Sequence, residues 1–158
     1  MNIAPEILAL HADMQRWRRH IHQHPETAFE ETATARLIAG LLQSAGIEVH
    51  QGLAKTGIVG VLRRGNSNNS IALRADMDAL YIQEQNRFDH ASCHSGKMHA
   101  CGHDGHCAML LGAASYLAKH GRFDGTVYFI FQPAEECRAG ALQMIGEGLF
   151  EQFPAQRV

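Results

Sequence analysis

The chain has 158 residues, enough for one domain, and its 46% apolar and 19% charged residues exclude a disordered tail. A formal charge of -2 argues against nucleic acid and against an anionic membrane surface as partners, since both require a basic excess. No charged-then-apolar leader and no apolar run near the ~18 residues of a membrane span can be read, so a cytoplasmic protein is expected. In that reducing compartment its four cysteines, Cys93, Cys101, Cys107 and Cys137, are expected to stay unpaired.

Ile7, Leu10, Met14, Trp17 and Ile21 recur at steps of three and four, which predicts an amphipathic helix over 5–22. Arg16, Arg18 and Arg19 read as its solvated face. Thr27-Ala28-Phe29-Glu30 has the pattern of a capping box, so a second helix is expected to start there. Leu37, Ile38, Leu41 and Leu42 form its apolar side, and Gly46 is a suitable left-handed stop. Strands are predicted at 47–51, 57–62 and 71–75. The last two flank a turn rich in asparagine and serine at 65–69 and are expected to be antiparallel neighbours. The third runs into Asp76-Met77-Asp78.

No periodicity is sustained over 84–101, and a loop that long inside a compact domain is usually functional or disordered. Asp104 is expected to cap a helix that reaches His120, in which Gly112 and the alanines allow close approach to a sheet, and Gly121 ends it. Residues 126–131 are nearly continuous in β-formers, as in a central strand covered on both faces. They empty into Gln132-Pro133-Ala134-Glu135-Glu136, and 140–147 predicts a last helix. This order describes an α/β domain, a mixed sheet flanked by helices.

Met98-His99-Ala100-Cys101-Gly102-His103-Asp104-Gly105-His106 holds three histidines, a cysteine and an acid within nine residues, and six of the chain's 11 histidines lie between His90 and His120. Thiolate and neutral imidazole are strong ligands for zinc-like divalent ions, and a Cys-x-His spacing lets both reach one centre. Sites in open α/β sheets lie beyond the carboxyl ends of strands. Here two strands end in acids, at Asp76/Asp78 and Glu135/Glu136, so three polar ends are expected to converge.

Cys101 and His103 are the candidate ligands. His99 and His106 are candidate supports, and Asp104 is a cap or an orienting group. One glutamate of the pair would ligate metal while the other acts as general base, their different directions following from extended backbone. Bound ions would lower the pKa of water toward neutrality. Each signal also has a plainer reading: turn or cap residues for the aspartates, and a helix start for the glutamates. Two other chemistries stay open. One is a truncated, non-catalytic metal-binding or interaction module, in its sharpest form a closed structural zinc site drawn from Cys93, His94, His99, Cys101, His103 and Cys107; the other is a Cys101 nucleophile with a histidine base.

The stretches Leu73-Arg74-Ala75-Asp76-Met77-Asp78-Ala79-Leu80, Met98 to His106 and Phe131-Gln132-Pro133-Ala134-Glu135-Glu136 resemble the three signature blocks of the metal-dependent amidohydrolases related to hippurate hydrolases, N-acyl-amino-acid deacylases and auxin-conjugate hydrolases. His20 to Glu26 and the Thr56-Gly57 turn are similar to that family as well. The resemblance implies that residues 1–158 are the amino-terminal part of a metallopeptidase-type catalytic domain. It implies a dinuclear site with Cys101, His103 and Glu136 as metal ligands and Glu135 as general base. Asp76 sits where related metallopeptidases carry a ligand or its orienting partner, and Asp78 is a further supporting candidate.

The implied cofactor is a pair of divalent ions, manganese, zinc, nickel or cobalt, and the implied substrate is an N-acyl amino acid cleaved at its amide bond. Full-length members are expected to be homo-oligomers. Tyr81 departs from the usual proline, and Cys137 from the small residue common after the glutamates. The sequence stops before the family's next Gly-x-His block, its last ligand histidine and its inserted smaller domain, so the isolated chain is expected to turn over little or no substrate.

Overall fold

The run that begins at Gly125 is the centre of a four-stranded sheet. The computed structural model describes residues 3–136 and 138–158, so the expectation about Cys137 lies outside the described residues. In chain order the elements are α1 (Pro5–Leu8), α2 (His11–Gln23), α3 (Thr32–Ser44), β1 (Glu48–Leu53), β2 (Gly57–Arg64), β3 (Ser70–Asp76), α4 (His103–His120), β4 (Gly125–Gln132), α5 (Gly140–Gly146) and α6 (Leu149–Gln152).

The strand order is β1-β2-β4-β3, with β1/β2 and β2/β4 antiparallel and β3/β4 parallel. All eight residues of β4 are buried. Alternate side chains go to opposite faces. Phe129 and Phe131 pack with Trp17, Ile21, Ile38, Leu42 and Leu111 of α2, α3 and α4, while Tyr128 and Ile130 pack with Met144, Leu149 and Phe153 on the other side. Phe129 and Phe131 are fully buried, a burial that stabilises by about 1.5–3 kcal/mol for each ring. The mixed sheet flanked by helices is therefore as expected.

The pairing of β2 with β3 is not. β4 lies between them, because a strand buried along its whole length must satisfy its backbone on both edges. The turn after β2 is held open for it: the Asp124 carboxylate accepts the N–H groups of Asn66 and Ser67 at 2.7 and 2.8 Å.

Four local expectations are also corrected. The helix over 5–22 is two helices. The N–H of Leu10 bonds the Ile7 carbonyl, and Ile7 and Leu8 are exposed, so the first turn buries no residue, whereas Trp17 and Ile21 are buried. The Thr27 box closes an isolated turn, with the Glu30 N–H donating to the Thr27 carbonyl at 2.8 Å. Phe29 at φ 62° prevents it from continuing as helix. α3 starts at Thr32 instead, and the Glu26 carboxylate caps the N–H groups of Ala33 and Thr34 at 3.0 and 2.8 Å. Gly102, not Asp104, occupies the N-cap of α4. A Cβ on Gly112 would stand 2.6 Å from Met14 Sδ, so that glycine lets α2 approach α4 rather than the sheet. Among the described residues no helix is long and apolar enough to cross a membrane.

Candidate metal centre

Parallel pairing places Asp76 opposite Gln132, so the chain leaves β3 and β4 at the same rim. α4 packs against β3 and brings its first turn to that rim. Asp76/Asp78, Cys101/His103 and Glu135/Glu136 accordingly meet, as their placement beyond strand ends implied.

His103 is the buried centre of the cluster, 2% exposed. Its Nδ1–H donates to the main-chain carbonyl of Asp78 at 2.8 Å, so Nε2 is the nitrogen turned toward the other candidate ligands, and a metal there would take the place of its proton. Nε2 lies 3.7 Å from Glu136 Oε1, 3.7 Å from Asp76 Oδ1 and 4.0 Å from Glu135 Oε2. Cys101, His103 and Glu136 each offer a ligand atom within 4.8 Å of the others, and so do Asp76, His103 and His106. One Nε2 serves one ion, so these groups are alternatives about a shared imidazole. Asp76 is already engaged, by His106 Nδ1 at 2.5 Å and Arg74 at 3.4 Å, whereas Glu136 Oε1 is buried without a hydrogen-bond partner. Thiol, imidazole and carboxylate together suit a borderline divalent ion. The residues of the first group therefore fit a metal.

The electrostatics agree. Burial lowers the affinity of His103 for a proton, but Asp78 and Asp76 outweigh it and raise its pKa to about 9. The Glu136 carboxylate beside it, then burial, push the Cys101 thiol up to about 11. Desolvation works against ionisation of Asp76 and Asp78, yet His106 and His103 respectively, as hydrogen-bond partners, hold them below the ordinary range. The carboxylates of the rim thus draw a positive charge onto His103, a charge that a divalent ion would supply in its place. A free thiolate nucleophile at Cys101 is disfavoured there, while a metal cation would favour the thiolate.

The supporting residues divide. Asp78 Oδ2 accepts the Glu136 N–H at 3.0 Å. Asp104 Oδ2 accepts from Arg18 Nε at 3.1 Å and lies 3.0 Å from His22 Nδ1, so it orients rather than caps. His22 Nε2 in turn lies 3.1 Å from Glu84 Oε1. Arg18 is consequently more than part of a solvated face. His99 is 4% exposed with neither ring nitrogen hydrogen-bonded, and burial holds its pKa at about 4, a neutral ring. The structural zinc alternative is not assembled among the described residues. Cys107 Sγ donates to the Asp76 carbonyl at 3.2 Å, and His94 Nδ1 pairs with the Pro25 carbonyl at 3.0 Å.

The glutamates diverge for a reason other than strand alternation. β4 ends at Gln132, Ala134 takes φ 53°, and Glu135 and Glu136 sit in a turn. Glu135 remains partly open to solvent while Glu136 is more enclosed, with side-chain exposures of 42% and 19%. Sequence reasoning missed His22, Glu84 and Glu31, which lie outside the three blocks; their spacing carries no ligand signal, and only the fold brings them near.

The sequence model described as Peptidase family M20/M25/M40 matches residues 72–158. The chain belongs to that family. It is 49% identical over 158 residues to the hippurate hydrolase of Campylobacter jejuni, covering all of this chain and 41% of that protein. It is 44% identical over 141 residues to the N-acyl-L-amino acid amidohydrolase of Geobacillus stearothermophilus, covering 88% and 38%. The crystal structure of a Bacillus subtilis dinuclear metal-binding peptidase of the M20 family superposes with a TM-score of 0.86 at 41% identity, covering 90% of this chain and 41% of that one. The chain thus spans about two fifths of the length of these M20 relatives, and the resemblance carried by its three blocks is borne out.

Proposed function

We propose that residues 1–158 are the amino-terminal part of a catalytic domain that hydrolyses the amide bond of N-acyl amino acids at a divalent-metal centre. The observation that carries this reading is the convergence of Cys101, His103 and Glu136 within 4.8 Å beside the more open carboxylate of Glu135. The relatives' names supply the substrate class, and the donor set is compatible with manganese, zinc, nickel or cobalt.

Cys101 Sγ, His103 Nε2 and a Glu136 oxygen would hold the metal, and the remaining ligands of a two-ion site would come from outside residues 1–158. When bound, the metal would supply Lewis-acid polarisation. Glu135 accepts the proton of that water as its oxygen bonds to the amide carbon, then delivers it to the nitrogen as the C–N bond breaks. Asp78 keeps the His103 ring and the Glu136 main chain in place meanwhile. Proton transfer by Glu135 is worth about 10²- to 10⁴-fold.

The test is Glu135→Gln in the full-length protein with hippurate and manganese: metal content should survive while turnover falls by about that factor. Turnover that resists both the substitution and a chelator would overturn the reading. The isolated 158 residues should show little or no turnover.

A further inference from the structure

The turn that carries the glutamate pair is held from behind by a carboxylate outside all three blocks. Ala134 adopts φ 53°, a left-handed conformation that an alanine does not take unaided. Its N–H donates to Glu31 Oε1 at 3.0 Å, and its carbonyl accepts the Gly140 N–H at 3.1 Å. The other Glu31 oxygen, Oε2, accepts the Thr56 hydroxyl at 2.7 Å.

Glu31 is fully buried at the N-cap of α3, yet it makes no side-chain cap to that helix. A buried carboxylate is costly unless hydrogen-bonded, and the bonds to Ala134 and Thr56 both lead away from its own helix. One is to the turn before β2, the other to the turn after β4. The pair of glutamates is thereby suspended from two acids: Asp78 holds the N–H of Glu136, and Glu31 holds the N–H of the residue before Glu135.

We propose that Glu31 is a positioning residue for Glu135. Through the Ala134 N–H it fixes the left-handed step that separates the directions of Glu135 and Glu136. It touches no reacting atom. The proposal rests on the reading of Glu135 as the proton-transfer group. Its effect falls on turnover rather than on binding, since a misplaced base costs about 10- to 100-fold when geometry slips by an ångström.

The experiment uses the full-length protein and three variants, Glu31→Ala, Glu31→Gln and Thr56→Val. It reads kcat and KM for hippurate with manganese, metal content, and amide hydrogen exchange of Ala134 in the metal-free protein. Glu31→Ala should lower kcat by about 10- to 100-fold with KM nearly unchanged and metal content retained, and should speed exchange at Ala134. Glu31→Gln keeps an acceptor oxygen for the Ala134 N–H and should recover most of kcat and of the protection. Thr56→Val leaves that bond intact and should resemble wild type in exchange at Ala134. If Glu31→Ala leaves kcat and exchange unchanged, or if Glu31→Gln is as impaired as Glu31→Ala, the proposal falls. Should Glu31→Ala fail to fold, the comparison of Glu31→Gln with wild type decides alone, loss of Ala134 protection in it refuting the role. A wild type without turnover would overturn the functional reading instead, and the exchange at Ala134 would still report on the clamp.

Discussion

Asp78 touches two proposed metal ligands at once, His103 through its main-chain carbonyl at 2.8 Å and the Glu136 N–H through its carboxylate at 3.0 Å. The carbonyl bond survives any side-chain substitution, but the carboxylate bond does not. Asp78→Ala should weaken divalent-metal affinity by about 10- to 100-fold, the usual scale for groups that orient ligands. Asp78→Asn keeps an oxygen for Glu136 and should recover most of it. Chelator competition on the full-length protein measures both, and equal affinity in all three proteins would refute the argument.

His22 stands between two buried acids, 3.0 Å from Asp104 and 3.1 Å from Glu84. Replacing it with leucine leaves Glu84 without that partner and Asp104 with Arg18 alone. His22→Leu should cost about 1–3 kcal/mol of stability, the scale for leaving a buried polar group without its hydrogen-bond partner. A shift of the urea midpoint reads it directly, and a change below about 1 kcal/mol would mean that the network is not energetically coupled.

Glu84 anchors the long loop that follows β3. Burial disfavours its ionised form, but the Ser92 N–H at 2.5 Å, Asn86 and His22 outweigh that and hold its pKa below the ordinary value of 4.5. A depressed folded-state pKa means that the contribution is fully present above 4.5 and is lost as pH falls through the folded value. Wild type should therefore lose melting temperature on acidification below that point more steeply than Glu84→Gln. Parallel curves for the two proteins would remove Glu84 from the acid response.

Gly140 lies against the same turn as Ala134, and a Cβ placed on it would fall 1.8 Å from the Pro133 carbonyl oxygen. That neighbour is backbone and cannot rotate away. Gly140→Ala should cost about 1–3 kcal/mol as overpacking and displace the glutamate pair, lowering metal content and turnover together. A variant with unchanged melting temperature and full activity would show that the turn yields freely.

The sequence revealed the elements that carry a period and the residues that carry a motif. β4 was legible because eight buried positions demand β-formers, and α4 because its apolar stripe is long. Cys101, His103, Glu135 and Glu136 were legible as chemistry because their types are rare in such density. The position of β4 between β2 and β3 was hidden, since adjacency in sequence favours a hairpin and only the demand of β4 for two partners reverses it. Glu31, His22 and Glu84 were hidden for another reason: a buried acid's role is defined by which N–H or imidazole reaches it, and those partners come from segments far away along the chain. The capping-box pattern at Thr27 misled because Phe29 turns left-handed, a tertiary outcome that propensity does not encode.

The parallel ladder between β3 and β4 acts as a ruler for the centre. Asp76 is set against Gln132 by the same register that sets Ser70 against Thr126, so the spacing of the two strand ends from which the aspartates and the glutamates depart is fixed by seven paired residues. A slip of one residue would displace one set by about 3.3 Å and turn its side chains to the opposite face. The tolerance of the rim is therefore quantised: packing changes along the ladder leave the spacing intact until the register fails, and then both halves are lost together.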